Sequence, residues 1–293
     1  MKHKILITGS HGMLWSTFRN TKTCEHAGYE VIYADRDILD ITDLRQCEDF
    51  FDQNTITIII NCAAYTNVEH AEDEGKMANY VVNTLGPTNL ALCAKKHSIH
   101  LIHISTDYVF DGTRVDGNNE YDTCWPLSAY GLAKWLGEEA ILRIHPDNSS
   151  IIRTSRLYGW WKEYKNFVNT MLMLWQSKSE LRVIADKRWA PTYTNDLMDA
   201  ILQVIRTDDR HQSIYHFCNK APEWWITRYD FACKIFSLTD NPIPVHPIPS
   251  SDYPTKAVRP RHSHLINNSE VVLRDWEEAL EEYLSNMWLL KNQ

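Results

Sequence analysis

The chain has 293 residues, a formal net charge of -8 at pH 7 and a pI near 5.9. With 44% hydrophobic and 23% charged residues it can build a large core, which excludes a disordered, collagen-like or disulfide-stapled chain. The negative charge argues against a nucleic-acid groove and an anionic membrane surface, because both require clustered cations. Glycine is scarce, with 10 residues against 11 tryptophans, where about 7% glycine is ordinary.

The cysteines and the N-terminal region indicate a compartment. The seven cysteines are scattered without a C-x-x-C pair, so their spacing favours neither zinc nor a disulfide framework. The first apolar run, residues 5–8, is too short for a signal peptide core or a membrane span. We therefore expect reduced thiols, a cytoplasmic protein, and neither a membrane nor a nucleic-acid partner.

Short apolar runs alternate with helical patterns in the first half of the chain. Continuous β-branched runs are typical of strands buried on both faces of a parallel sheet. Segment 42–52 opens with a Thr-Asp cap signal, and segment 69–96 has helical spacing with Gly86-Pro87 as its main interruption. The alternation predicts an α/β fold, a Rossmann-like doubly wound parallel sheet. The predicted strands are residues 4–8, 30–34, 57–61, 100–105 and 150–154.

The pattern becomes less regular after about residue 155. A proline-rich stretch, residues 241–254, marks a loop region. We expect an NAD(P)-binding domain over residues 1–155 and a smaller C-terminal substrate-binding lobe over 156–293, with some chain crossing between the two.

A G-x-x-G turn, Gly9 to Gly12, directly follows the first predicted strand. Backbone N–H groups at a helix start, with glycines that allow close approach, are what a pyrophosphate requires. The third fingerprint position is Trp15, whose indole would push the helix away or enter cofactor space. After the second strand, Asp35 can bind a ribose hydroxyl and Arg36 a 2′-phosphate, so NADH and NADPH both stay open.

Tyr130 and Lys134 stand four residues apart on a predicted helix. A lysine charge on the same face can lower the phenol pKa, which suits a proton donor to a carbonyl oxygen that receives hydride. The strand 100–105 runs on into Thr106 and Asp107, at the end that faces the ligand crevice of an α/β sheet. Thr106 can therefore hydrogen-bond the same carbonyl oxygen. Each motif alone also fits a surface helix or a capped loop.

Together these motifs resemble the dTDP-4-dehydrorhamnose reductase family of extended short-chain dehydrogenases/reductases, over almost the whole chain. The resemblance rests on residues 8–12, 61–69, 82–83, 105–112, 130–134 with 137–138, 186 with 191–192, 229–232, 259–260 and 275–280.

The resemblance implies an NADPH- or NADH-dependent reduction of the C4 keto group of dTDP-4-dehydro-6-deoxy-L-mannose to dTDP-L-rhamnose, for cell-surface polysaccharide. By position, Tyr130 would donate the proton, Lys134 would support it, and Thr106 would polarise the keto oxygen. Asp107 and Arg156 would join Thr106 and Tyr130 at the dTDP-sugar. The resemblance also implies Mg²⁺ in some members, for which no ligands can be assigned, and it is compatible with a homodimer. The implied cofactor-binding residues are Gly9, His11, Gly12, Asp35, Arg36, Ala63, Ala64, Tyr65 and Lys134.

Two departures from the family pattern keep alternatives open. Trp15 stands at a glycine position, and Arg156 replaces a tryptophan that contacts the nucleotide sugar. One alternative is a non-catalytic binding protein of the same fold, resembling the regulatory β subunit of methionine adenosyltransferase. The other is a reductase or epimerase for a different 4-keto nucleotide sugar.

Overall fold

The computed structural model describes residues 3–9, 12–159, 166–207, 213–239 and 242–291, with side chains up to residue 287. Five of its strands fall within one residue of the predicted ones, which confirms the apolar-run prediction. The strands are β1 (Lys4–Thr8), β2 (Glu30–Ala34), β3 (Ile58–Asn61), β4 (His100–Thr106), β5 (Ser149–Thr154), β6 (Leu157–Tyr158), β7 (Leu181–Ile184), β8 (Thr192–Tyr193), β9 (Ile214–His216) and β10 (Val245–Ile248).

Six strands form one parallel sheet in the order β2-β1-β3-β4-β5-β9. The Rossmann-like prediction is therefore confirmed. The chain leaves β1 toward β2 on one side and returns to β3 on the other, so a crevice opens between the carboxyl ends of β1 and β3. Ligands bind at such a topological switch point in open α/β sheets.

Helices cover both faces of the sheet. The cap signal before residue 44 is confirmed, because the Asp43 carboxylate accepts from the Arg45 and Gln46 backbone N–H groups. Likewise the Ser128 hydroxyl accepts from the Gly131 N–H and fixes the start of the helix that carries Tyr130. The helices are α1 (Met13–Thr21), α2 (Thr23–His26), α3 (Leu44–Gln53), α4 (Lys76–Tyr80), α5 (Gly86–His97), α6 (Ala129–Ile144), α7 (Phe167–Trp175), α8 (Thr194–Arg206), α9 (Arg228–Ser237) and α10 (Trp276–Lys291).

Segment 69–96 is continuously helical from Lys76 onward, and Gly86-Pro87 does not interrupt this stretch. A π-helical turn, Val81–Leu85, joins α4 to α5 without a break. Pro87 stands at the beginning of α5, and a proline is tolerated in a first helical turn because its missing N–H is not needed there. The predicted interruption at Gly86-Pro87 is therefore wrong, because the irregular part of this helical stretch is the π turn directly before the Gly-Pro pair.

Alternate residues of the strands enter separate cores. Ile5 and Ile7 of β1 face a core that includes Leu197 and Ile201 of α8. Leu6 faces the opposite core with residues of α3 and α5. Period-two alternation with both faces apolar explains why these strands read as continuous hydrophobic runs.

Trp15 belongs to the first core, where its side chain fills the space between α1 and β2. Its ring meets Tyr33 edge-on at 5.6 Å between centroids, and the Arg19 guanidinium lies 5.1 Å from its centroid. Only 6% of the residue is exposed. The indole is thus a packing element of α1, and α1 still contacts α8.

The later part of the chain adds an aromatic core. Tyr158 stacks on Tyr193 at 5.5 Å and meets Tyr283 edge-on at 5.4 Å, joining β6, β8 and α10. Two small parallel pairs, β6 with β8 and β7 with β10, complete this region. However, β9 and α8 return to the main sheet and its helix layer, so the boundary near residue 155 stays a prediction. Among the helices of the described ranges, none has both the length and the hydropathy of a membrane-crossing segment.

Candidate active site

A cleft of about 770 Å³ follows the carboxyl ends of β1, β3, β4 and β5. It brings together most of the residues selected from the sequence. Tyr65 does not line the cleft, and His11 lies outside the described residues. The selected residues that line it are Gly9, Gly12, Asp35, Arg36, Ala63, Ala64, Thr106, Asp107, Tyr130, Lys134 and Arg156.

The turn after β1 has the form that a diphosphate requires. Gly9 has a φ of +91°, and a Cβ on it would overlap the backbone of Ala63 beyond β3. Gly12 begins α1 without a side-chain cap, so the first N–H groups of that helix have no side-chain acceptor. The cradle exists because residue 9 is glycine, and it fits the phosphates of a dinucleotide.

Asp35 and Arg36 lie at the end of β2, on the rim of the cleft. The Asp35 carboxylate accepts from the N–H groups of Asp37 and Ile38 at 3.0 and 2.9 Å, which holds it at the loop start. The Arg36 side chain is 82% exposed and pairs with Asp40 at 2.9 Å. The pair is placed to meet an adenosine ribose, and the exposed arginine can rotate toward a 2′-phosphate.

The segment after β3 contributes backbone more than side chains. Ala63 and Ala64 line the cleft next to Gly9. The Tyr65 phenol instead contacts His70 Nδ1 at 2.5 Å, and its backbone is held by Asn83 at 3.0 and 2.9 Å. A cofactor role for Tyr65 stays a prediction, since its side chain is engaged outside the cleft.

Thr106 and Tyr130 meet at the centre of the cleft. The Tyr130 phenol and the Thr106 hydroxyl both line the cleft, and the hydroxyl is near enough to the phenol to act on its pKa. Thr106 ends β4, and its hydroxyl lies 3.1 Å from the Asp107 carboxylate. Two hydroxyl groups on different elements thus converge where one carbonyl oxygen could accept from both.

The pKa of Tyr130 differs from the sequence prediction. Burial raises it, and the nearby Asp107 raises it further, while the Thr106 hydroxyl lowers it. The sequence predicts that the Lys134 charge lowers the pKa of Tyr130. The Lys134 side chain instead turns toward β4, where its Nζ lies 2.6 Å from the Ile104 carbonyl oxygen and 3.1 Å from His103 Nε2. Burial lowers the pKa of Lys134 to about 8.

Arg156 enters the cleft from an unusual backbone position. Its φ is +48°, a left-handed conformation that costs a non-glycine residue of order 1 kcal/mol. Its Nη1 donates to the Tyr108 phenol at 3.1 Å, and its Nη2 lies 4.0 Å from the Asp107 carboxylate. Burial acts to lower the pKa of Arg156, but Tyr108 and Asp107 outweigh it and raise that pKa. The strained backbone therefore places a charged guanidinium beside Thr106 and Tyr130.

Three further cations surround Arg156. Burial lowers the pKa of Arg228 to about 10, and the charge of Arg156 is the next cause. Burial also lowers the pKa of Lys187, with Arg228 and Arg259 adding to the effect. Such mutual lowering means that positive charges are held close together with too few carboxylates to balance them. This cluster, Arg156, Lys187, Arg228 and Arg259, suits an anionic ligand.

Sequence reasoning missed the buried residues that support the site. Arg153 of β5 pairs with Glu138 of α6 at 2.7 Å, and the Ser105 hydroxyl donates to the same carboxylate. His103 contacts Lys134, and Tyr108 meets Tyr130 edge-on at 5.8 Å. The sequence does contain one indication of these residues, because a polar side chain in a strand that is buried on both faces must have a hydrogen-bond partner. The magnesium that the resemblance implies has no site in the described ranges, where no three His, Cys, Asp or Glu side chains cluster as ligands.

The match to known proteins covers the whole of this architecture. The family model described as the RmlD substrate binding domain matches residues 2–288. The chain is 37% identical over 293 residues to a dTDP-4-dehydrorhamnose reductase of Aggregatibacter actinomycetemcomitans, covering 94% of this chain and 97% of that protein. The chain belongs to the dTDP-4-dehydrorhamnose reductase family.

Other members bear related names. The spore coat polysaccharide biosynthesis protein SpsK of Bacillus subtilis is 36% identical over 285 residues, covering 96% of both chains. A dTDP-4-keto-6-deoxy-D-glucose reductase of Streptomyces niveus is 34% identical over 280 residues, covering 95% of this chain and 92% of that one. The crystal structure of the Bacillus anthracis dTDP-4-dehydrorhamnose reductase in complex with NADP superimposes with a TM-score of 0.90 at 33% identity, covering 97% of this chain and 99% of that one.

Proposed function

We propose that this protein reduces the C4 keto group of dTDP-4-dehydro-6-deoxy-L-mannose to the alcohol of dTDP-L-rhamnose, with NADPH or NADH as reductant. The observation that carries the proposal is the convergence of Thr106, Tyr130 and Lys134 in one cleft at the carboxyl ends of the sheet. A non-catalytic binding protein has no need for two convergent hydroxyls and a buried lysine at the carboxyl ends of a sheet.

The residues would divide the work by position. The Gly9 turn and the start of α1 would hold the cofactor phosphates, and Asp35 with Arg36 would hold the adenosine ribose. The bound nicotinamide would supply the hydride. Tyr130 would donate its phenol proton to the keto oxygen while Thr106 donates a second hydrogen bond, so that negative charge forming on that oxygen is stabilised.

The cation cluster supports a nucleotide diphosphate as the substrate class. Arg156 lines the cleft, and Lys187, Arg228 and Arg259 from three other segments lie near enough for their charges to act on one another, with Asp107 and Glu69 paired to Arg156 and Arg259. A diphosphate brings two negative charges and several acceptor oxygens, which offset surplus positive charge in a partly buried site. The negative net charge of the chain makes this local excess more distinctive.

A second candidate is a reductase for another 4-keto dTDP-sugar. Arg156 favours it, because a guanidinium 4.0 Å from Asp107 and close to Tyr130 would meet the sugar itself. The Streptomyces niveus relative named for a different 4-keto sugar supports the same possibility.

The experiment titrates purified protein with NADPH and NADH by nicotinamide fluorescence, and then adds the 4-keto dTDP-sugar. We expect binding of at least one cofactor and loss of its absorbance at 340 nm on addition of the sugar, since oxidised nicotinamide does not absorb there. Tyr130→Phe should bind the cofactor equally and turn over about 10²–10⁴-fold more slowly. No cofactor binding at millimolar concentration would overturn the proposal, and binding without oxidation would direct attention to other 4-keto sugars.

A further inference from the structure

Four buried polar side chains form a hydrogen-bonded chain beneath the cleft. The Thr8 hydroxyl donates to Asn61 Oδ1 at 2.7 Å, and Asn61 Nδ2 lies 2.9 Å from His103 Nδ1. His103 Nε2 then lies 3.1 Å from Lys134 Nζ. Each residue is at most 1% exposed, so water does not replace any of these partners. Donors and acceptors must therefore match along the whole chain.

The orientation of Asn61 is fixed from outside the chain. Its Oδ1 also lies 3.2 Å from the backbone N–H of Ala63, which can only donate. Oδ1 therefore faces Ala63 and Thr8, and the Nδ2 amide faces His103 as a donor. Nδ1 of His103 must accept, so a neutral imidazole carries its proton on Nε2.

That proton points at Lys134. Nζ already donates to the Ile104 carbonyl at 2.6 Å. An ammonium has only donors, so it would bring a second proton against the Nε2–H of His103. A free amine has a lone pair that accepts this hydrogen. The bonding pattern therefore closes only when Lys134 is unprotonated.

Burial of Lys134 makes the free amine the majority form above about pH 8, whereas the ammonium dominates at pH 7. Burial lowers its pKa to about 8, although Glu138 on α6 and Cys62 after β3 both act to raise it. The Glu138 carboxylate is bound by Arg153 of β5 at 2.7 Å. Burial lowers the pKa of His103 well below its usual value, which keeps the imidazole neutral whether or not Lys134 is protonated.

We propose that His103 is a positioning residue that donates a hydrogen bond to the free amine of Lys134 and keeps it turned onto β4 in alkaline solution, where Lys134 takes up one proton from solvent before it acts as a cation beside Tyr130. The inference rests on the proposed function, in which Lys134 supports Tyr130. The balance is one proton from buffer to Nζ; in the same step the hydrogen bond from the His103 Nε2–H to Nζ breaks, and His103 keeps its proton.

The first test is long-range ¹H–¹⁵N NMR of the full chain labelled with ¹⁵N-histidine, without added ligand. His103→Asn assigns the resonances of His103, and His145→Asn serves as a matched control, because His145 is buried against the Ile99 carbonyl away from the cleft. We expect an unprotonated Nδ1 and a protonated Nε2 from about pH 6 to about pH 9, the fixed-tautomer case. An Nδ1–H tautomer or an imidazolium would overturn the proposal.

The second test measures the protons taken up when NADPH binds, by calorimetry in two buffers of different ionisation enthalpy. At about pH 9 the wild-type chain should take up close to one proton, against about one tenth at pH 7, because the Lys134 amine dominates only above its pKa. His103→Asn keeps an acceptor for Asn61 but removes the imidazole Nε2–H that donates to Nζ, so the pKa of Lys134 rises and uptake at pH 9 falls at least about twofold. Equal uptake in both proteins would overturn the proposal.

These two tests are independent of the sugar. If NADPH binds but no 4-keto sugar is reduced, the proton count still decides the role of His103. If NADPH does not bind, the proposed function is overturned while the tautomer of His103 is still measured on the unliganded chain.

Discussion

The guanidinium carbon of Arg156 lies 5.0 Å from the centroid of the Tyr108 ring, while its Nη1 donates to the Tyr108 phenol. Tyr108 in turn meets Tyr130 edge-on at 5.8 Å. Arg156 is thus linked through one aromatic ring to the proposed proton donor, and it also lies 4.0 Å from Asp107. A cation so placed acts on the hydroxyl groups around it, and under the proposed function it would also act on the substrate.

Arg156→Met should weaken substrate binding and leave cofactor binding intact. Removing the guanidinium costs a charge-assisted contact, so we expect KM for the dTDP-sugar to rise about 10–100-fold. Arg156→Lys keeps the charge but not the flat ring contact, and it should fall between wild type and Arg156→Met. Steady-state kinetics with a parallel NADPH titration measure both effects. An equal loss of NADPH affinity would contradict this placement of Arg156.

The strands could be predicted from the sequence, and the connections between buried polar groups could not. Strands such as β1 read as apolar runs because both faces of the sheet are covered. Because the carboxyl ends of parallel strands lie at one edge of the sheet, the sequence alone also predicts that Thr106 lies near Gly9. The partners of His103 come from β3 and α6, 42 and 31 residues away, so only the tertiary geometry reveals them.

Arg156 illustrates a second limit. An arginine at this position predicts contact with an anion or with the substrate. The direction in which its side chain points depends on a left-handed backbone conformation that no local sequence motif predicts. Trp15 illustrates a third, because its ring both packs against Tyr33 in the core and borders the cleft, so its effect on the cofactor stays a prediction.

Trp15→Gly should therefore destabilise the protein and should not raise cofactor affinity. The indole fills core space between α1 and β2, so its removal leaves a cavity worth about 3–5 kcal/mol of unfolding free energy. Trp15→Phe keeps an aromatic contact with Tyr33 and should lose less. Urea unfolding followed by circular dichroism gives the stability, and NADPH titration gives the affinity. Tighter NADPH binding by Trp15→Gly would show that the indole obstructs the cofactor.

Glu138→Gln tests the buried ion pair behind the site. The Arg153–Glu138 pair is 4% and 1% exposed, and the substitution leaves the Arg153 charge without its carboxylate. Breaking a buried pair in this way costs about 3–5 kcal/mol of unfolding free energy. Glu139→Gln is the matched control, because Glu139 is an exposed neighbour whose contact with Arg143 spans 3.7 Å and should contribute below about 0.5 kcal/mol. Similar urea midpoints for the two variants would contradict the prediction.

His216 should make the protein lose stability in mild acid. Its Nδ1 lies 3.1 Å from the carbonyl oxygens of Asn118 and Ile266, and burial with the neighbouring Arg153 lowers its pKa to about 3. An unfolded histidine titrates near 6.5, so between about pH 6.5 and about pH 3 the unfolded chain binds a proton that the folded chain does not. The contribution of His216 is therefore complete above about pH 7 and declines as the pH falls below 6.5.

Urea midpoints measured at intervals from about pH 8 to about pH 4.5 isolate this effect, because most carboxylates stay ionised in that window. His216→Asn should be less stable than wild type at pH 8, since it loses the two carbonyl contacts, but its midpoint should fall less steeply below pH 6.5. His264, with a pKa lowered to about 4, and His103, whose pKa burial lowers well below its usual value, also contribute and leave part of the slope in place. Substituting the exposed His26 should leave the slope unchanged, and equal slopes for wild type and His216→Asn would assign the acid sensitivity to other groups.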